Sequence, residues 1–290
     1  MTAVQETAPP AESRAQKKAA APKQSSARKA WWGRFALRWV VLIALLVVWQ
    51  VLTTVFTSPF FPQPSRILVR FAELWLPGDG EFITRSMGAD VLPSLGRMLL
   101  GFGVSVVIAV VLGVAIGLSR AFADYVDPII QFLRAVPPPA LIPVFLVLFG
   151  TGEQMRILLI AFGTAWPILL NTIEGVRGIE PLKYETARVF RIGFVDRLTR
   201  IVLPGAAPKI LAGVRTSLAL GLILMVISEM VASSSGIGFS ILQAQRGFAF
   251  LDMWAGIVLL GVLGFILNII LTVIERRLLA WQRSSGRETA

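Results

Sequence analysis

Apolar residues in this chain come in unbroken runs of membrane-crossing length rather than in alternating or helically spaced patterns. The first run extends from Trp39 to Phe56 without a charge, and others cover about 98–118, 128–150, 157–173, 218–231 and 255–274. About 20 consecutive apolar residues cross a bilayer core. The pattern therefore predicts an all-α polytopic membrane protein of six transmembrane helices, the fifth starting well before its apolar part, near Pro208. One stretch differs. After the breaker cluster Phe60-Phe61-Pro62-Gln63-Pro64, Ser65 reads as the N-cap of a short helix whose Ile67, Leu68, Phe71, Leu74 and Trp75 share a face. Such a helix suits the membrane surface, and 76–90 reads as a loop.

Breakers and small residues refine the spans. Pro137-Pro138-Pro139 and Pro143 interrupt the third span, and such breaks survive in lipid only where neighbouring groups re-satisfy the freed carbonyls. Gly113 and Gly117 in the second span have the spacing that lets helix backbones approach. Residues 1–30 are rich in Ala, Pro, Ser, Gln and Lys and read as a disordered tail. They are not a signal peptide, because the basic region is too long and the next apolar stretch reaches span length. The remainder, 31–290, reads as one membrane domain.

Composition agrees with lipid: 55% of the 290 residues are hydrophobic and 16% charged, and the mean hydropathy is +0.72. The formal charge of +11 would raise nucleic acid in a soluble protein, but here the basic residues flank apolar runs rather than forming a stripe. With the amino terminus inside, the cytoplasmic segments 1–38, 119–127, 174–215 and 275–290 hold 21 of the 28 Lys and Arg residues. That is the asymmetry of the positive-inside rule, and it places both termini in the cytoplasm.

The absence of Cys and His removes disulfide, thiolate, haem and ordinary zinc chemistry. None of the six lysines follows a glycine, so there is no Walker A loop to hold ATP phosphates. Ser233-Ser234-Ser235 has no base beside it in sequence, and Gly236-Ile237-Gly238 reads as a flexible turn. No catalytic, cofactor or metal residue is expected. The segment 174–215 is long, basic and patterned, with two short helices expected at about 181–190 and 194–202, the second stopping at Leu203-Pro204. Their apolar faces pack either on the protein's own cytoplasmic face or on a partner.

Glu185-Thr186-Ala187, followed by Ile201-Val202-Leu203-Pro204, resembles the EAA loop of ABC-importer permeases. That pattern is Glu-Ala-Ala, Gly six residues after the Glu, Ile at sixteen and Leu-Pro at eighteen and nineteen. Ile201, Leu203 and Pro204 fall on the last three positions, whereas Thr186 replaces the first Ala and Arg191 stands where the Gly belongs. The nearest glycine is Gly193, where the turn is expected. Arg134 through Pro143 with Phe149-Gly150-Thr151-Gly152-Glu153, then Trp166 to Thr172, and Ser228-Glu229-Met230 before Gly236, resemble the nitrate, sulfonate and taurine branch.

The resemblance implies a type I importer-like permease of small anions. Glu185, Thr186, Ala187, Gly193, Ile201, Leu203 and Pro204 would form the coupling region. ATP would be used by a separate cytoplasmic ATPase, with a second permease copy or close relative and an extracytoplasmic binding protein as further partners. Four intramembrane polar residues are candidates for the path or a gate. Glu229 is either a path residue or a structural hydrogen-bond partner, and Arg134 either attracts anions or anchors a helix end. Trp166 and Asn171 are path candidates whose residue types more often serve in packing. A scaffold subunit or an ATPase-independent secondary transporter is the alternative.

Overall fold

A computed structural model describes residues 24–76 and 84–280 and divides the chain into two compact units, Met1–Phe56 and Thr57–Ala290. The first unit contains helix α1 (Gln24–Val55), of which Trp39–Val55 is apolar. Thr53 and Thr54 donate their hydroxyls to the carbonyls of Trp49 and Gln50, leaving no bare polar group at that level. The helix begins inside the stretch read as a tail; the rest of that tail, 1–23, lies outside the described residues.

The second unit holds α2 (Pro64–Trp75), α3 (Leu92–Leu118), α4 (Arg120–Ala135), α5 (Ile142–Phe149), α6 (Glu153–Arg177), α7 (Pro181–Val189), α8 (Phe194–Arg197), α9 (Leu203–Ala232), α10 (Ile237–Arg246) and α11 (Phe250–Leu278). Among the described residues, four helical runs are long and apolar enough to cross a membrane: Met87–Leu118, α6, Phe194–Val231 and α11. The helices Arg120–Ala135 and Pro138–Phe149 bend by 84° at the proline run and together make either one broken span or a re-entrant loop.

Several boundaries differ from the sequence reading, for physical reasons. The second span starts at Met87 rather than 98, because Gly88 and Asp90 look like loop residues but wind into a π turn, Met87–Val91, and Pro93 sits in the first turn of α3. The helix after α8 does not stop at Leu203-Pro204; a second π turn, Leu198–Val202, carries it into α9. Both π turns end on the valine of the same tripeptide, Val91-Leu92-Pro93 and Val202-Leu203-Pro204. A proline ring collides with the carbonyl four residues back, and one widened turn relieves that collision without ending the helix. The first helix after α1 begins at Pro64 with Gln63 as its cap and no side-chain capping bond, so Ser65 is already inside it; proline is pre-organised for that first position.

The core lies between α3, α6 and α9. Gly101, Ser105, Ala109, Gly113 and Gly117 recur every four residues along α3 and make a flat stripe against α6. A Cβ added to Gly101 would stand 2.6 Å from the Ile157 carbonyl, one on Gly113 2.6 Å from Thr172, and one on Gly117 2.7 Å from Val176. These matches climb together, so α3 and α6 run parallel. Contacts of Gly213 with Pro167 and of Gly175 with Lys209 descend, so α9 runs antiparallel to both. Thr164 and Thr172 return their hydroxyls to the carbonyls of Ile160 and Ile168, and Ser217 bonds the Thr164 carbonyl at 2.6 Å. Helix α2 lies on α11: Ile67 and Trp75 are buried and Phe71 and Leu74 half-buried, while Leu68 stays exposed. Arg70 of α2 pairs with Asp252 at the start of α11 and with Glu73, and these bonds hold its guanidinium above its ordinary pKa.

Candidate functional site

At one end of the second unit, α6 hands over to α7, and α7 and α8 project as a knuckle. Pro181 opens α7 at a position where its missing donor has no consequence. The Ile192 amide donates to the Ala187 carbonyl and the Arg191 amide to the Arg188 carbonyl, a Schellman closure whose turning residue is left-handed. That residue is Arg191, with φ 51°. The expectation of a turn at Gly193 fails: Gly193 has φ −60° and serves as the cap of α8. Glu185 and Thr186 are exposed, with the Thr186 hydroxyl on the Leu182 carbonyl, whereas Ala187 is buried. Ile201, Leu203 and Pro204 lie half-buried in and after the π turn. Around Arg191, Val189, Phe190, Phe194 and Val195 are between 60% and 78% exposed. Tyr184 tucks back against the bundle, its hydroxyl donating to the Val176 carbonyl; burial pushes the phenol above its ordinary pKa, with Arg197 pulling it partly back.

At the opposite end a polar cluster ties four helices. Glu229, 1% exposed, accepts from the Ser94 hydroxyl at 2.6 Å, from Arg97 Nη1 at 2.9 Å and from the Gly238 amide at 3.0 Å. Arg97 Nε also donates to Glu153 of α6. Asp90 accepts from the Gly236 amide and the Ser240 hydroxyl, and Ser94 from the Ile237 amide. The first amides of α10, which no residue of its own caps, are thus satisfied by Asp90, Ser94 and Glu229, with two carboxylates at the positive end of the helix dipole. The sequence Gly-Ile-Gly is required for this. Gly236 sits at φ 117°, and a Cβ there would stand 2.5 Å from the Glu229 carboxylate. The expected flexible turn is instead the pinned start of a helix: Gly236 is its cap, and Ile237 and Gly238 are already helical.

Midway between the two ends, α4, the proline break, α6 and α9 line an open cleft of about 600 Å³. Its walls include Arg134, Gln131, Pro138, Trp166, Leu170 and Leu224. Arg134 Nε donates to Gln131 Oε1 at 2.8 Å. Trp166 stands edge-on to Phe162. Of the four intramembrane candidates, the fold brings Arg134 and Trp166 together here. Glu229 belongs to the capping cluster, and Asn171 is a packing residue, its amide on the Pro167 carbonyl at 2.8 Å and its Cβ against Gly213.

Residues 105–280, from within α3 to the end of α11, match the family of binding-protein-dependent transport system inner membrane components. This chain belongs to that family. Among curated relatives, the putative aliphatic sulfonates transport permease SsuC of Bacillus subtilis is 33% identical over 242 residues, 83% of this chain and 85% of that one. The taurine transport system permease TauC of Escherichia coli is 32% identical, covering 82% and 86%, and the nitrate import permease NrtB of Synechocystis is 30% identical, covering 81% and 86%. A chain of the inward-facing MetNI methionine ABC transporter superposes with a TM-score of 0.58 over 65% of this chain and 94% of that one, at 20% identity; this likeness concerns the fold. As a binding-protein-dependent permease, the chain is a type I importer-like helical membrane component.

Sequence reasoning overlooked Asp90, Ser94 and Arg97 in this permease. The signal was available: a buried carboxylate in a membrane helix needs a cation or donors nearby, and Arg97 lay at the edge of the span that faces it.

Proposed function

We propose that this permease carries small oxyanions across the cell membrane, as a pair of identical chains driven by a cytoplasmic ATPase seated on the α7–α8 knuckle and supplied by an extracytoplasmic binding protein. The relatives named for sulfonate, taurine and nitrate transport support the solute class. The knuckle carries the coupling reading. Val189, Phe190, Phe194 and Val195 stand exposed among Lys183, Arg188, Arg191 and Arg200, charges that keep this apolar patch out of lipid. Each such side chain gains about 1.5–3 kcal/mol when buried, and a cleft in a partner protein is where that burial is available. The excess of Lys and Arg in 174–215 favours a cytoplasmic knuckle, with both chain termini on the same side.

Glu185, Thr186, Ala187, Ile201, Leu203 and Pro204 belong to this coupling region, with Arg191 in place of Gly193 at its turn. Glu185 is exposed, with no side-chain bond among the described residues, so Glu185→Ala leaves the fold intact. In vesicles containing the whole transporter, that substitution is expected to leave ATP hydrolysis measurable while solute uptake falls at least about tenfold. Unchanged uptake contradicts the assignment.

A further inference from the structure

The cleft at the proline break is more specific than the solute class above. Gly163 and Leu170 stand roughly 15 and 26 Å along a helix of about 37 Å, at 1.5 Å per residue, so the cleft lies near the middle of the span. Arg134, exposed on the single chain, lines this cleft near mid-span, where a charge survives only by facing protein interior, a partner or water. Its Nε is occupied by Gln131, which fixes the plane of the group. No carboxylate of the described residues pairs with it, and both Nη nitrogens are left for another acceptor. The rest of the wall, Leu170, Leu220, Ile223 and Leu224, is apolar.

We infer that this cleft is an intramembrane subsite for an organic oxyanion with an apolar tail, such as an alkanesulfonate. The Arg134 Nη nitrogens take the oxyanion, and the proline and leucine walls take the carbon chain. The inference rests on the transport reading above and narrows it. The volume, about 600 Å³, falls in the range of about 300–1,000 Å³ typical of organic-ligand sites, and a bare inorganic anion would leave the apolar wall unfilled. A lipid phosphate does not reach this level, since headgroups sit about 15 Å from the bilayer centre. Helix-end anchoring of Arg134 accounts for its place in the last turn of α4, but not for a fork held by Gln131 and lining a cleft near mid-span.

The chain has no cysteine, so Leu220→Cys gives a unique reporter in the wall. In the complete transporter in nanodiscs, the rate of maleimide labelling is read with hexanesulfonate, nitrate or hexylammonium present. Hexanesulfonate is expected to slow labelling about tenfold at a concentration where nitrate and hexylammonium have less than about a twofold effect, since a charge-assisted contact is worth about 1.5–3 kcal/mol. Adding Arg134→Gln is expected to abolish the protection, and Arg134→Lys to keep part of it, having the charge without the fork. Ile223→Cys provides a second reporter if the first disturbs packing. Equal protection by hexylammonium or nitrate, or protection that survives Arg134→Gln, overturns the inference. Binding-protein-dependent ATP hydrolysis by the unsubstituted complex tests the coupling reading separately. Hydrolysis without protection removes the subsite and keeps the coupling; protection without hydrolysis does the reverse.

Discussion

Glu229 and Arg97 show how a membrane protein keeps charges indoors. The two side chains are 1% and 5% exposed and 2.9 Å apart, and each has further bonds to hydroxyls or backbone. Removing one partner strands the other, which typically costs about 3–5 kcal/mol, whereas replacing both with apolar residues is far milder. Glu229→Leu or Arg97→Met alone is therefore expected to lower the thermal stability of the purified permease sharply, and the double substitution to recover much of the loss. Independent, additive losses in that cycle contradict the account. Arg191 makes the complementary case. A non-glycine residue at φ 51° carries about 1 kcal/mol of strain, so Arg191→Gly is expected to raise the stability of the α7–α8 turn, seen as slower proteolysis there; faster proteolysis argues the turn is held differently. The sequence pattern placed the glycine position correctly relative to Glu185. It misdirected the turn because Gly193 was available two residues on, and composition alone does not reveal that the Schellman bonds to Ala187 and Arg188 fix the turn at Arg191.

Among the elements, the long apolar runs were legible and their ends were not. Hydropathy locates α3, α6, α9 and α11, but π turns before Pro93 and Pro204 lengthen two of the helices beyond any boundary that a proline suggests. The stripe of small residues on α3 was visible only in part, as Gly113 and Gly117, because Ser105 and Ala109 gain meaning only once α6 lies against them. The stripe makes a paired prediction. Gly113→Ala puts a methyl 2.6 Å from the Thr172 side chain, while Gly103→Ala meets nothing within 4 Å. Gly113→Ala is expected to reduce stability by about 1–3 kcal/mol through overpacking, and Gly103→Ala to be neutral or to gain about 0.5–1 kcal/mol from helix propensity. Thermal unfolding of the two variants side by side reads the difference, and equal effects contradict a close-packed α3–α6 seam.

For the whole molecule, the two ends of the second unit have opposite characters. One end is locked by buried charges that cap α10, and the other presents an apolar knuckle that none of the described residues covers. Between them lies a bend of 84° beside Arg134, which pairs with no carboxylate of the described residues. The locked end escaped sequence reading because its members, Asp90, Ser94, Arg97, Glu153 and Glu229, come from three distant segments that only the parallel and antiparallel packing of α3, α6 and α9 brings together. The knuckle was readable because its residues are contiguous. On the proposed reading, the chain receives its driving force at α7 from a partner that hydrolyses ATP. Solute uptake into proteoliposomes, measured for the permease alone and for the permease with its ATPase and binding protein, tests that claim most directly. The account predicts uptake only in the complete system and only with ATP; uptake by the permease alone, driven by an ion gradient, contradicts it.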